Sequence, residues 1–557
     1  MFFQFLGKIQ DINSVWSYRL AWSRTQGFHP CNPGSNPGRT ARLAIFIMKK
    51  DYLEIAKAPD ISNLKERKIY RILETIPGAI SLGTLLGVLV FSWLKPDWVA
   101  IFIILFCLYY LCKIAYLSIC QVASYIRMKR NLKINWLEKI KRIERWQEIY
   151  HLIILPAFRE ESGIIKESLN AILNSEYPKE NLIVVLSVEE RGGEDSLKTA
   201  QILEKEYSQK FPHFLATIHP KNIPGELAGK GSNEAWAGKE AKEKIIDKLN
   251  IPYKNIIVSS FDIDTRVYPQ YFACLTWQYL KSKNPLRESY QPIPVYNNNV
   301  WEAPVFTRVV ATSNTFWQMM QQERPEKIVT YSSHAMPFKV FSEVGYPKNI
   351  VSDDSRIFWK AYLYYDGDYK VQPLYYPVSM DVVLAKNLLR TAVNQYKQQR
   401  RWAWGCVEIP YLIHGFFRNK KIPFWNKLMH LTTLIDGFWS WSTSAFLILI
   451  LGWLPLFLGG EKFSSSTLSY NLPRLTSRIM TFTLLGMLIS AILSMFILPP
   501  RPAGVSRFKK FSVFFQWLLL PVTLILFGAL PALDAQIRLM FGKYMGFWVT
   551  EKSRKRY

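Results

Sequence analysis

Two carboxylate pairs and one cationic segment carry most of the chemistry open to this sequence. Asp262 and Asp264, in FDIDT, stand two apart just past an apolar run. In an extended segment such residues point the same way. Two carboxylates so placed can hold one hard cation, Mg2+ or Mn2+, against a phosphate; an ordinary polar strand end reads the same way. Asp353 and Asp354, in SDDS, follow the turn Gly345-Tyr346-Pro347 and precede a helix-like run over 357–365. Adjacent Asp residues at a helix start can be caps favoured by the dipole. Alternatively one is a general base, which needs a positioned carboxylate. Gln398-Gln399-Arg400-Arg401-Trp402 lies in a segment of helical period, 387–404, rich in Arg, Gln and Trp. It can be an interfacial anchor. In the functional reading, Arg401 grips a diphosphate through its planar fork and Trp402 stacks on a sugar ring.

Smaller groups complete the set. Glu160 closes Pro156-Ala157-Phe158-Arg159-Glu160, and Glu189 opens Glu189-Glu190-Arg191. Both follow strand candidates and can hydrogen-bond a base or ribose. Lys230 and Asn233 lie in Gly229-Lys230-Gly231-Ser232-Asn233, which opens a helix whose free N–H groups can receive a phosphate. The spacing is not that of a Walker A loop.

These residues need elements to position them. Strand candidates cover 151–155, 182–188, 214–218 and 255–260, with helices over 162–175 and 231–241. Such alternation predicts βαβ units and a mostly parallel sheet. Ligands of such sheets bind at the carboxyl ends of the strands, which is where these motifs fall. The fold class is therefore α/β, with a Rossmann-type mixed or parallel sheet over 127–385.

The rest of the chain points to a membrane. Of 557 residues, 49% are hydrophobic and 20% charged, and the net charge is +27. This excludes a disordered chain, a disulfide scaffold and a repetitive fibre. The six cysteines, Cys31, Cys107, Cys112, Cys120, Cys274 and Cys406, show neither CxxC nor zinc spacing, so the soluble part is expected in a reducing compartment. Charge-free or nearly charge-free runs at 75–94, 98–126, 437–460, 479–500 and 511–533 are long enough to span a bilayer. Lys and Arg before the first and after the second place both flanks, and so the region from about 127 to 436, in the cytoplasm. The expected protein is multi-pass, in a cell (inner or plasma) membrane. A third late crossing would strand the basic tail outside, so either one late segment is re-entrant or interfacial, or the tail breaks the rule.

The expected organisation is a disordered or untranslated extension over 1–47, with Met48 the true start. A cytoplasmic segment and two spans cover 48–126, the α/β domain 127–385, and amphipathic interfacial helices 386–436. About three spans fill 437–533, and a basic tail runs over 534–557. The basic residues cluster beside spans, where anionic membrane lipids account for them. No nucleic-acid-binding motif is present, and no nucleic acid is expected as a partner.

Taken in order, these motifs resemble the family 2 glycosyltransferases, the membrane-bound inverting group that includes cellulose and hyaluronan synthases. PAFRE is similar to their opening strand motif, GKGSN to their Gly-Lys…Asn segment and FDIDT to their DxD. SDD stands where they have Thr-Glu-Asp, QQRRW matches Gln-x-x-Arg-Trp at Gln398, Arg401 and Trp402, and FWVTEKS resembles a C-terminal segment. The resemblance implies a GT-A-like fold and a nucleotide-sugar donor bound by Glu160, Glu189, Lys230, Asn233 and Asp262, with a UDP-sugar favoured. It implies Mg2+ or Mn2+ on Asp262 and Asp264, and Asp354 as base with Asp353 as the alternative. Gln398, Arg401 and Trp402 would contact acceptor and diphosphate. The acceptor would be a glycan or a lipid, and the product could be a processively made polysaccharide. Two alternatives stand beside it: transfer of one sugar to a polyprenyl-phosphate or other lipid carrier, and a non-catalytic membrane scaffold of the same fold.

Overall fold

A computed structural model describes residues 51–502 and 504–550. The extension 1–47, the start at Met48 and the basic residues from 551 onward lie outside the described residues. The described residues from Tyr52 onward belong to one compact unit.

Two long helices come first, α1 (Leu64–Leu94) and α2 (Pro96–Asn131). The Asn63 side chain accepts from the N–H groups of Lys65 and Glu66 and so starts α1. Pro96 takes the first position of α2, where its missing N–H costs nothing. The α/β region follows with β1 (Tyr150–Ala157), α3 (Ser162–Leu173), β2 (Leu182–Glu189), α4 (Glu194–Tyr207) and β3 (His213–His219). Next come α5 (Lys230–Ala241), β4 (Ile256–Ser260), β5 (Arg266–Val267), α6 (Tyr271–Lys281), β6 (Glu288–Tyr296) and α7 (Val305–Gln322). It closes with β7 (Ala335–Pro337), α8 (Asp353–Tyr364) and β8 (Lys370–Met380). Then come α9 (Leu388–Ala403), α10 (Glu408–Arg418), α11 (Phe424–Leu449), α12 (Thr467–Ile497) and α13 (Leu530–Met540).

The eight strands form one sheet in the order β3-β2-β1-β4-β7-β6-β8-β5. The first four are parallel, β7 and β5 are antiparallel to their neighbours, and β6 and β8 pair in parallel. Every residue of β2 and β4 is buried, as expected of strands covered on both faces. The expected α/β class thus stands, as a mixed sheet. Pro156 was expected to end the first strand, yet β1 continues through it. Ile154 accepts from Phe261 N–H on the β4 side, and Pro156 faces that same side beyond the last β4 residue. No ladder bond is lost there.

His151 sits at the centre of this sheet. It is fully buried, bonded through Nε2 to Thr276 Oγ1 at 2.9 Å, with its ring edge-on to Tyr177. Burial pushes its pKa down to about 3, from 6.5. The folded state therefore binds fewer protons than the unfolded one below pH 6.5. His151 contributes its stability above that pH and loses it as pH falls toward 3. Replacement by Phe should flatten the fall in melting temperature on acidification. From pH 6.5 to 4.5 the difference corresponds to about 2 kcal/mol. Equal slopes for both proteins would refute this.

Among the described residues, four helices are long and apolar enough to cross a membrane: Leu64–Leu94, Pro96–Asn131, Thr467–Ile497 and Phe511–Met540, the last built of short consecutive pieces. Phe424–Leu449 with Leu451–Leu458 makes a fifth if this pair, bent by 49°, is one span. Large apolar side chains such as Leu105, Ile119, Phe482 and Phe496 point outward from them. Trp93 and Trp98 flank the α1–α2 turn, each 70% exposed, as in an interfacial belt. The charge-free runs mark only the apolar middles, and the helices continue into charged ends. Within 386–436, expected to hold amphipathic interfacial helices, α11 begins at Phe424.

The segment from 511 to 540 has a distinct course. Gln516 accepts from Arg308 Nε of α7 at 3.0 Å, and Asp534 accepts from Arg400 of α9 at 2.8 Å. Both ends lie against the α/β domain and its following helix. Beyond it, the chain up to Thr550 packs beside the domain, with Phe547 against Gly229 and Arg401.

Candidate active site

The site forms where three loops and helix starts meet beyond the carboxyl ends of β1, β2 and β4. Lys230 opens α5 with its side chain buried. Its Nζ lies 2.9 Å from Asp262 Oδ1, 2.9 Å from Asp354 Oδ1 and 3.9 Å from Glu234 Oε1. Nζ also donates to Asp354 Oδ2 at 3.1 Å, so both oxygens of that carboxylate are engaged. Burial opposes the charge on Lys230, but Asp262, Asp354 and Glu234 outweigh it and hold the ammonium well above its ordinary pKa.

Helix α5 can come this close because Gly231 carries no side chain. A Cβ there would sit 2.4 Å from the Pro347 carbonyl and 2.8 Å from Asp353 Cβ. Asp353 and Asp354 both start α8 but face different surroundings. Asp353 is 2% exposed, and burial, with Asp354 beside it, raises its pKa well above the usual carboxylate range. The Asp354 side chain is 24% exposed and turns toward Lys230. Ligand atoms of Glu234, Asp353 and Asp354 lie within 4.8 Å of one another, an all-oxygen set suited to a hard cation. Burial, with Asp354 nearby, pushes Glu234 up to about 8, and Ser260 Oγ donates to it. His334 Nδ1 is bonded to the Tyr331 carbonyl at 3.0 Å and therefore carries the proton; it lies 3.7 Å from Asp354. Burial lowers His334 to about 4, leaving it neutral at pH 7.

The DxD geometry departs from the extended form expected. Thr265 N–H bonds to the Asp262 carbonyl at 2.9 Å, closing a turn over 262–265. The two carboxylates consequently have different partners. Asp262 faces Lys230 and accepts from Ser332 Oγ at 2.7 Å, while Asp264 Oδ2 accepts from Asp381 N–H at 2.9 Å. Burial first, then the charges of both carboxylates, hold the Tyr296 phenol well above its ordinary range.

Helix α9 supplies the wall beyond Tyr296. The Trp402 ring lies 6.2 Å from that of Tyr296, and Gln398 lines a small cavity with Tyr296, Asp381, Gln395 and Trp402. Arg401 lies over the Phe547 ring at 4.9 Å, and its Nε is buried with no hydrogen-bond partner among the described residues. Phe547 also covers Gly229, where a Cβ would sit 2.5 Å from the ring. The C-terminal segment thus packs on both the GKGSN start and the QQRRW helix.

At the β1 and β2 ends, Glu189 is buried and paired with the Arg191 guanidinium, which lies 4.4 Å over Phe158. Arg159 lies 4.9 Å from the same ring, and Glu160 accepts from Phe158 N–H at 2.7 Å. Asn233 has another task. Its amide donates to the Ser187 carbonyl at 2.8 Å and accepts from Ser187 Oγ at 2.5 Å, locking α5 onto β2.

Among the residues singled out from sequence, Lys230, Asp262 and Asp354 meet directly. Gln398 and Trp402 join Tyr296 and Asp381, which in turn holds Asp264. Glu160, Glu189 and Asn233 are held at neighbouring strand ends by partners of their own. Glu234, His334, Tyr296 and Asp381 went unnoticed in the sequence. Glu234 was within reach, because it follows Lys230 by four on a helix and so shares its face.

No family model matches the chain, and no curated protein matches it. Among solved structures it is similar to the mannosyltransferase PcManGT from Pyrobaculum calidifontis in complex with GDP-Man and Mn2+. The identity is 15% and the TM-score 0.39, over 72% of this chain and 98% of that one. It is also similar to S. aureus TarS 1–349 in complex with UDP-GlcNAc, at 12% identity and TM-score 0.34, over 62% of this chain and 91% of that one.

Proposed function

We propose that this chain is a membrane-bound inverting glycosyltransferase of the family 2, GT-A type. It would move a sugar from a nucleoside diphosphate donor, a UDP-sugar first, to a glycan or lipid-linked acceptor. The observation that carries this reading is the meeting of three motifs on one buried ammonium: Lys230 of GKGSN contacts Asp262 of FDIDT and Asp354 of SDDS. A cation, flanking acids and an adjacent aromatic wall are the parts a diphosphate-leaving transfer needs.

In this mechanism Glu189, Arg191 and Glu160 hold the nucleoside beside Phe158. Asp262 and Asp264 would hold Mg2+ or Mn2+, a fit favoured by their hard oxygen donors; the metal would neutralise charge on the leaving diphosphate. Asp354 takes the proton from the acceptor hydroxyl. The hydroxyl oxygen bonds to the anomeric carbon while the carbon–phosphate-oxygen bond breaks on the opposite face, and its electron pair leaves with the diphosphate. Lys230 and Arg401 receive that charge, and Trp402 with Tyr296 lines the acceptor side. Asp354 is preferred to Asp353 because it faces the cleft, whereas Asp353 is enclosed against Gly231.

The test is turnover by purified protein in nanodiscs. UDP-, GDP- and TDP-sugars are offered with Mg2+ or Mn2+, and nucleoside diphosphate release is followed. Metal-dependent release from one donor is expected, and product length separates chain extension from single transfer. Absence of release from every donor, together with absence of nucleotide binding by calorimetry, would overturn the proposal.

A further inference from the structure

We propose that Lys230 is a latch that withholds the base until the donor's diphosphate arrives. The inference rests on the glycosyltransferase reading and adds to it a coupling between donor binding and base availability.

The argument starts from the stoichiometry of charge around one ammonium. Lys230 Nζ contacts Asp262 and Asp354 at 2.9 Å each, and it donates to both oxygens of Asp354. Its side chain is 7% exposed, so water does not substitute for these partners. An ammonium on both oxygens of a carboxylate competes with an acceptor hydroxyl for them. A diphosphate placed against Asp262 brings more negative charge to the same ammonium than either carboxylate does, with oxygens well suited to it. A compact ammonium on a flexible stem can swing from one partner to the other, which a planar guanidinium fork does less readily. When Lys230 turns to the phosphate, Asp354 is released on the side where the acceptor must approach.

The surroundings are arranged to survive the exchange. Thr330 Oγ1 donates to the Asp354 main-chain carbonyl at 2.6 Å and fixes the backbone whichever partner the side chain has. Ser332 Oγ holds Asp262 at 2.7 Å in the same way. His334 Nδ1 lies 3.7 Å from Asp354 Oδ1, but its proton is held by the Tyr331 carbonyl, so it does not take the place of Lys230. Lys230 thus acts as a positioning residue for the base, in addition to meeting the donor.

The two partners compete for Lys230, and that competition can be measured without catalysis. The full-length protein in nanodiscs is titrated with UDP and with GDP by calorimetry at fixed Mg2+. Variants are Asp354→Asn, Lys230→Met and the double substitution. A latch predicts that Asp354→Asn binds the better nucleotide about ten-fold more tightly, because Lys230 no longer has to be pulled away. The gain should vanish in the Lys230→Met background. An equal gain in both backgrounds would mean simple charge repulsion and would overturn the latch, as would unchanged or weaker binding in Asp354→Asn. Nucleotide binding without coupling leaves the glycosyltransferase reading standing; no binding in any variant removes both. Should Lys230→Met not fold, Lys230→Gln, which keeps a hydrogen-bond donor and removes the charge, serves as the background.

Discussion

Asp354→Asn is expected to lower the rate of nucleoside diphosphate release by about 10²–10⁴-fold, the scale on which a positioned general base contributes. The substitution keeps shape and removes basicity. The Asp354 side chain, 24% exposed, reaches the cleft, and its main-chain carbonyl is tied to Thr330, so the backbone should not move. Its neighbour provides the contrast. Asp353 is buried, and burial and Asp354 together already favour its neutral form. Asp353→Asn should therefore cost about ten-fold or less in rate, with any further effect on melting temperature. The two variants, assayed at saturating donor, decide which carboxylate takes the proton. A larger loss in Asp353→Asn would exchange their roles. Nucleotide binding measured on the same samples shows that each variant is folded.

The parallel half of the sheet was legible in the sequence because β1, β2 and β4 are continuous Ile, Val and Leu runs buried on both sides. The other half was not. β6 contains Pro292 and Pro294 and β8 contains Pro373 and Pro377, and a register shift separates Gln291 from Ile293. Prolines argue against a strand in any local reading. Here the pairing of the two irregular strands compensates, and that cannot be seen from either one alone. The site divides along the same line. Lys230, Asp262 and Asp354 stand in short motifs whose residue types announce charge, so each could be named without knowing that they touch. Asp381 and His334 act through a backbone N–H and through burial, and neither leaves a mark on composition. The turn at 262–265 explains why spacing misled on geometry. Alternation assigns both acids of a DxD to one face only while the chain stays extended, and here it bends after the first.

A second large effect is expected at Glu408, which anchors the start of the SDD helix. Arg356 of α8 and Glu408 of α10 pair at 2.7 Å, both side chains 2% exposed. Arg356 also donates to the Ile55 carbonyl at 2.8 Å and lies 3.6 Å from the Tyr411 ring centre, while Ser352 Oγ donates to Glu408 at 2.7 Å. This group joins the start of the SDD helix to the helix that follows QQRRW. Removing one charge leaves the other buried and unpaired, which costs about 3–5 kcal/mol. Glu408→Ala should accordingly lower the melting temperature far more than a surface substitution does. The pair itself is not expected to be worth that much, because desolvating both ions offsets most of their attraction. Arg356→Met/Glu408→Leu, which removes both charges and keeps volume, should recover most of the lost stability. The two variants also separate folding from function. Ser352 precedes Asp353 directly, so the stable double variant loses the Ser352 anchor and should show reduced turnover with near-native melting. If instead the double variant melts as low as Glu408→Ala, packing around Tyr411 and Ile55, and not the unpaired charge, sets the stability of this joint.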